Sequence, residues 1–215
     1  MRRVKSKPIM AFDQFIFSDR VSRSINAFVR HPEVIPNVLC FHGFPGVGKT
    51  SFAQFLADQV SYNTHYFPLN ERALKGTFIE AEIAPLFRHS LHRFLHDEDK
   101  AFDKTIILDE FHNLSPKEQD RFKVVLEESD NELFIICLNT TRSRSVAKIL
   151  SDAVLSRAHH IDFNVKNDEL SEVVEKVVRV FPELSSDRIQ AWLPDMRRIT
   201  REAMLLRNIP QYSSL

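Results

Sequence analysis

Residues 43–50 read Gly-Phe-Pro-Gly-Val-Gly-Lys-Thr, a G-x-x-x-x-G-K-T run with a third glycine inside, and few folds can use such a run. Glycine adopts backbone conformations that other residues avoid, so Gly43, Gly46 and Gly48 let the chain curl with successive N–H groups pointing inward. The apolar stretch 37–41 leads into the loop, and a helical pattern, Ser51 to Val60, leads out of it. In that strand–loop–helix setting Gly43, Phe44, Pro45, Gly46, Val47, Gly48, Lys49, Thr50 and Ser51 form a phosphate cradle, completed by the positive end of a helix. Lys49 would reach the β- and γ-phosphates of a nucleotide, and the Thr50 hydroxyl would ligate Mg2+.

Hydrolysis also needs a metal-orienting carboxylate and a base. Residues 104–110, Lys-Thr-Ile-Ile-Leu-Asp-Glu, supply both in adjacent positions. A buried-strand run ends in Asp109, placed to hold the Mg2+ shell, and Glu110 then sits where it can polarise a water toward the γ-phosphate. A further apolar run, Leu133 to Leu138, ends in Asn139. Ligands of open α/β sheets sit at the carboxyl ends of strands, so this amide can orient the attacking water or sense the γ-phosphate. Taken alone, an Asn after a strand is more often a turn residue.

Five short runs read as strands: Asn37–Phe41, Thr64–Leu69, Lys104–Leu108, Leu133–Leu138 and, more weakly, His160–Val165. Helical patterns separate them, which predicts an α/β P-loop fold over residues 1–165, a five-stranded parallel sheet flanked by helices. Ser115, Pro116 and Glu118 announce one helix with the stripe Phe122, Val125 and Leu126. After Val165 the strands stop. Helical patterns opening at Asn167–Asp168, Ser185–Asp187 and Pro194–Asp195 predict a small helical lid over residues 166–215. The 18 phenylalanines predict a bulky core.

Net charge is zero, so the global positive field of a strongly basic nucleic-acid binder is lacking. No apolar run approaches the ~18 residues of a membrane span. The basic start has no apolar h-region behind it, so no secretory signal is expected. Cys40 and Cys137 lie within apolar runs and read as buried, reduced thiols of a reducing compartment, cytoplasmic or nuclear.

With these motifs the chain resembles an AAA+ ATPase of the clamp-loader branch. Lys5 to Pro8 followed by Phe12 to Ile16 looks like the segment that flanks the adenine in those subunits, and Ser18 to Val29 resembles their first helix. Leu69 to Arg72 with Gly76 is similar to the stretch leading to their DNA-facing helix. Val154-Leu-Ser-Arg157 falls where the family has Ser-Arg-Cys, with Ala158 in place of the cysteine. Pro194-Asp-Met-Arg197 resembles the Gly-Asp-x-Arg of sensor 2, with Pro194 in place of the glycine. The resemblance implies that Arg157 reaches the γ-phosphate bound by an adjacent subunit and Arg197 the nucleotide of its own. It implies ATP and Mg2+ as ligands, and other copies or paralogous subunits, DNA and a sliding clamp as partners. The helical collar of clamp-loader subunits is not expected within residues 1–215.

A clamp-loader-type ATPase of DNA replication, working as a multimer, is therefore the first reading. A viral- or phage-type replication helicase or a helicase-loader ATPase is the second. A non-hydrolysing nucleotide-dependent scaffold is the third, and an intact Glu110 argues against it. Arg72, Lys75 and Arg88 could line a DNA-facing surface or a solvated helix face. His89, His92 and His96 have helical spacing but read as solvent-facing rather than as zinc ligands.

Overall fold

Alternation along the first strand sets the layers. In β1, Val38–Gly43, the side chains of Leu39 and Phe41 enter one hydrophobic layer, and those of Val38 and Cys40 enter another on the opposite face. The computed structural model describes residues 12–69, 78–87, 100–127 and 131–208. Within them β1 joins β2 (Ser61–Pro68), β3 (Phe102–Asp109), β4 (Glu132–Asn139) and β5 (His159–Asp162) in one sheet of order β2-β3-β4-β1-β5. Every pairing is parallel. All of β3 is buried, as is β4 up to Leu138, which is what helices on both faces impose on central strands.

The first layer holds α1 (Asp19–Arg30) and α2 (Lys49–Val60), the second α4 (Pro116–Glu127) with two four-residue helices, α5 (Val146–Ile149) and α6 (Asp152–Leu155). A π-helical turn, Ile79–Ile83, runs into α3 (Ala84–Phe87) and adds Ile79 and Ile83 to the second layer. Phe41, Phe52, Phe111, Phe122 and Phe134 are fully buried, as the phenylalanine content predicts. From β1 the chain crosses by α2 to the far edge of the sheet, whereas β4 returns over β1 to β5. That reversal opens a crevice at the carboxyl ends of β1 and β4.

A third cluster joins α7 (Leu170–Val180), α8 (Ser186–Trp192) and α9 (Met196–Asn208) through Val173, Val177, Ile189, Ile199 and Ala203. Polar bonds seat α7 on α1: Arg20 Nε donates to Glu169 Oε1 at 2.7 Å, and Lys176 Nζ bonds the Asp19 and Glu172 carboxylates at 2.6 Å each.

Several boundaries differ from the sequence reading. β2 starts at Ser61, directly after α2, because an edge strand can begin with polar residues: Ser61, Asn63 and Thr64 pair with β3 although they form no apolar run. β5 ends at Asp162 rather than Val165. Its side chain accepts from Asn164 N–H at 3.0 Å, while Arg20 takes the carbonyls of Asp162 and Asn164, so the ladder cannot continue. The cap ahead of α7 comes from Glu169, which accepts from Lys166 N–H at 2.9 Å, and not from Asn167 or Asp168. Ser115 and Glu118 do form the expected reciprocal cap of α4, with Ser115 N–H to Glu118 Oε2 at 2.8 Å. Among the described residues no helix is long and apolar enough to cross a membrane. Arg72, Lys75, Gly76, Arg88, His89, His92 and His96, and the segment Lys5 to Pro8, lie outside the described residues.

Candidate nucleotide site

The glycine loop joins β1 to α2 at the mouth of the crevice. Gly46 and Gly48 hold φ of +85° and +96°, which only glycine adopts without strain. A Cβ on Gly46 would also lie 2.3 Å from the Asp195 carboxylate, just ahead of α9, so the loop and the three-helix unit meet there. Phe44 N–H donates to Asn164 Oδ1 at 2.7 Å, which anchors the start of the loop to the chain leaving β5.

Lys49, 6% exposed, donates to the carbonyls of Gly43 and Phe44 at 2.9 and 2.8 Å. An ammonium has three N–H donors, so one remains for a phosphate oxygen. Burial lowers the Lys49 pKa to about 8; Cys137, Asp109 and Glu110 oppose that shift, and Arg197 adds to it.

The Thr50 hydroxyl donates toward both oxygens of Asp109 at 3.1 Å. Tyr66, on the neighbouring β2, donates its phenol to Asp109 Oδ2 at 2.6 Å. Burial first, and the carboxylate it faces second, push the Tyr66 phenol above its usual range, so it stays a donor at neutral pH. Glu110 has φ 58° and ψ 36°, a left-handed conformation that costs a non-glycine residue on the order of 1 kcal/mol. That turn aims its carboxylate at the end of β4, where Asn139 Nδ2 lies 3.1 Å from both oxygens. His112 Nε2 stands 3.2 Å from Glu110 Oε2.

Lys49, Thr50, Asp109, Glu110 and Asn139 thus stand together at the carboxyl ends of β1, β3 and β4. Arg157 does not join them. It donates to the Ala153 carbonyl at 2.8 Å and forms an ion pair with Glu127 on α4. The sequence reading missed Tyr66, His112 and Asn164. Tyr66 could not be found without the β2–β3 register, which sets Pro68 opposite Asp109. His112 lies two positions after Glu110, but spacing along the chain gives no sign that its ring stands beside that carboxylate.

The donor set fits a nucleotide and Mg2+. Backbone N–H groups and Lys49 suit phosphate oxygens, while a hydroxyl and a carboxylate already at hydrogen-bond distance suit a hard cation that keeps part of its water shell. Among the described residues no group of three or more His, Cys, Asp or Glu forms another metal site. Tyr66→Phe should raise the Mg2+ concentration needed for half-maximal turnover by about 10-fold, because hydrogen-bond partners of metal-holding carboxylates are typically worth that much. Nucleotide binding in chelator should be unaffected; an unshifted Mg2+ titration would discard this role for the phenol.

Residues 39–167 match the family described as ATPase family associated with various cellular activities (AAA). No curated protein sequence matches the chain. Among solved structures it is similar to the RuvB Holliday junction branch migration motor of Thermotoga maritima, with 21% identity and a TM-score of 0.61 over 95% of this chain and 66% of that one. Two single-residue variants of that protein give 20% and 18% identity with TM-scores of 0.61 and 0.58, again over 95% of this chain and 66% and 67% of theirs. The chain thus spans about two thirds of the length of the RuvB structures, and at such identities the likeness carries the fold alone. The family match takes in the glycine loop, the Asp109–Glu110 pair, Asn139 and Arg157, and on that match the chain belongs to the AAA family of ATPases.

Proposed function

We propose that this chain binds ATP with Mg2+ and hydrolyses it as one subunit of a multimer that acts on DNA. The observation that carries this reading is the convergence of two bonded pairs, Thr50 with Asp109 and Glu110 with Asn139, beside the buried Lys49. Thr50 and Asp109 would hold Mg2+, which when bound neutralises charge on the β- and γ-phosphates. Lys49 and the N–H groups from Phe44 to Ser51 would hold the phosphate chain. Asn139 would orient a water whose oxygen attacks the γ-phosphorus as its proton passes to Glu110. The bond from the γ-phosphorus to the bridging oxygen then breaks, giving ADP and phosphate.

Residues 166–215 would act as a lid that brings Arg197 to the nucleotide of its own chain, and Arg157 would serve a neighbour's site. Clamp loading in replication rests on the motif resemblance, while RuvB being a branch migration motor favours a second reading, a DNA translocase. Cys40 and Cys137 are buried free thiols, which supports a reducing compartment.

Calorimetry with ATP and Mg2+ tests the foundation. Binding heat is expected for the native chain, with affinity at least ~10-fold weaker in Lys49→Ala, since a charge-assisted phosphate contact of 1.5–3 kcal/mol is lost. No heat from the native chain would remove the nucleotide reading. Turnover with primer–template DNA and a sliding clamp, compared with turnover on four-way junction DNA, then separates the loader from the translocase.

A further inference from the structure

We propose that His112 is a positioning residue for Glu110, holding the catalytic carboxylate in the rotamer that faces the attacking water; this rests on the reading of Glu110 as the base. Two fixed points define the contact. The backbone N–H of Asn139 lies 3.4 Å from His112 Nδ1 and can only donate, so Nδ1 is the accepting nitrogen. Burial lowers the His112 pKa, with a smaller push from Arg144 against the pull of Glu110 and Asp109, so the ring is neutral at pH 7 and its proton sits on Nε2. Nε2 itself lies 3.2 Å from Glu110 Oε2, an ion-pair distance between the ring and the carboxylate.

Asn139 consequently grips Glu110 twice, directly through its side-chain amide and indirectly through its backbone and the imidazole. Glu110 needs such support. Its carboxylate is 42% exposed on a residue in a left-handed turn, and a free glutamate there would sample several rotamers. His112, at 19% side-chain exposure, is the more rigid partner. Among the described residues the imidazole makes no hydrogen bond to the glycine loop or to Thr50, so its removal should act on the chemical step and leave nucleotide binding alone.

The test compares His112→Ala and His112→Gln in the full chain. In His112→Ala, kcat for ATP is expected to fall about 10- to 100-fold, the range seen when an outer partner of a site residue is lost. KM and the calorimetric affinity for ATP with Mg2+ should stay within about 2-fold, because no ground-state contact is removed. The Gln side chain can place an N–H near the Nε2 position, so His112→Gln should recover most of the loss. A 15N spectrum of histidine-labelled native protein should show His112 as the neutral Nε2–H tautomer, with its resonance shifted in Glu110→Ala. An unchanged kcat in His112→Ala, an equal loss of ATP affinity, a Gln variant no better than Ala, or the opposite tautomer would each overturn the proposal. If the native chain shows the tautomer and the shift yet never turns over ATP, the hydrolysis reading fails while the His112–Glu110 contact stands.

Discussion

Glu110→Gln should bind ATP with nearly native affinity and turn it over ~10^2- to 10^4-fold more slowly, the contribution expected of a positioned general base. The amide keeps the volume of the carboxylate and one acceptor oxygen for the Asn139 Nδ2–H, so the end of β4 need not move. The amide lacks a basic site for the water proton. The variant therefore separates binding from chemistry, which a loop substitution such as Lys49→Ala cannot do. Calorimetry should give a dissociation constant within about 3-fold of native, because among the described residues Glu110 makes no hydrogen bond to the loop and its replacement leaves the Thr50–Asp109 and Lys49–Gly43 bonds in place. Native turnover in this variant would reassign the base; loss of binding would show that Glu110 shapes the pocket rather than the reaction.

The site was legible where function and local sequence coincide. The chain has four glycines, and three of them stand in the loop, all at positive φ that other residues do not hold cheaply. Asp109 and Glu110 were readable because a fully buried strand has no use for a carboxylate at its end unless something is there to meet it. Contacts made across the sheet were not. Tyr66 reaches Asp109 only because β2 pairs with β3 in one register, and Asn164 reaches Phe44 only because β5 lies beside β1. Periodicity reports which face of an element is buried and is silent on which strand lies next to it. The same limit explains β2, whose polar first half is stabilised by one neighbour and one helix rather than by its own apolar pattern.

The resemblance-based arginines divide on similar grounds. Arg197 follows Asp195, whose carboxylate accepts from Arg198 N–H at 3.1 Å to cap α9 and lies against Gly46. That cap fixes the start of α9, which carries Arg197, beside the loop, and the Arg197 charge adds the smallest push to the lowered Lys49 pKa. Among the described residues Arg157 has no such anchor to the site in its own chain. Its guanidinium is spent on Ala153 and Glu127, on the face that carries α4 and α6.

That placement leads to the prediction with the largest expected effect. If Arg157 serves a neighbouring site, Arg157→Ala should bind ATP normally and lose ~10^3-fold or more of its assembly-dependent turnover, since such a guanidinium meets charge that develops only in the transition state. The ion pair with Glu127 does not stand in the way. Both partners are partly exposed, at 29% and 48% of their side chains, and pairs of that kind contribute only about 0–1 kcal/mol. Three to five decades of rate correspond to about 4–7 kcal/mol, so the neighbour's transition state outcompetes Glu127 by a wide margin. Glu127→Gln should accordingly change turnover by no more than a few-fold. Mixing Arg157→Ala with Glu110→Gln gives the decisive measurement. In a head-to-tail assembly, random mixing at equal amounts leaves about a quarter of the sites with an intact Glu110 facing an intact Arg157, and turnover should rise from near zero toward that share. A mixture as inactive as its two components would place Arg157 outside the shared site, and an Arg157→Ala protein as fast as the native one would remove it from the reaction.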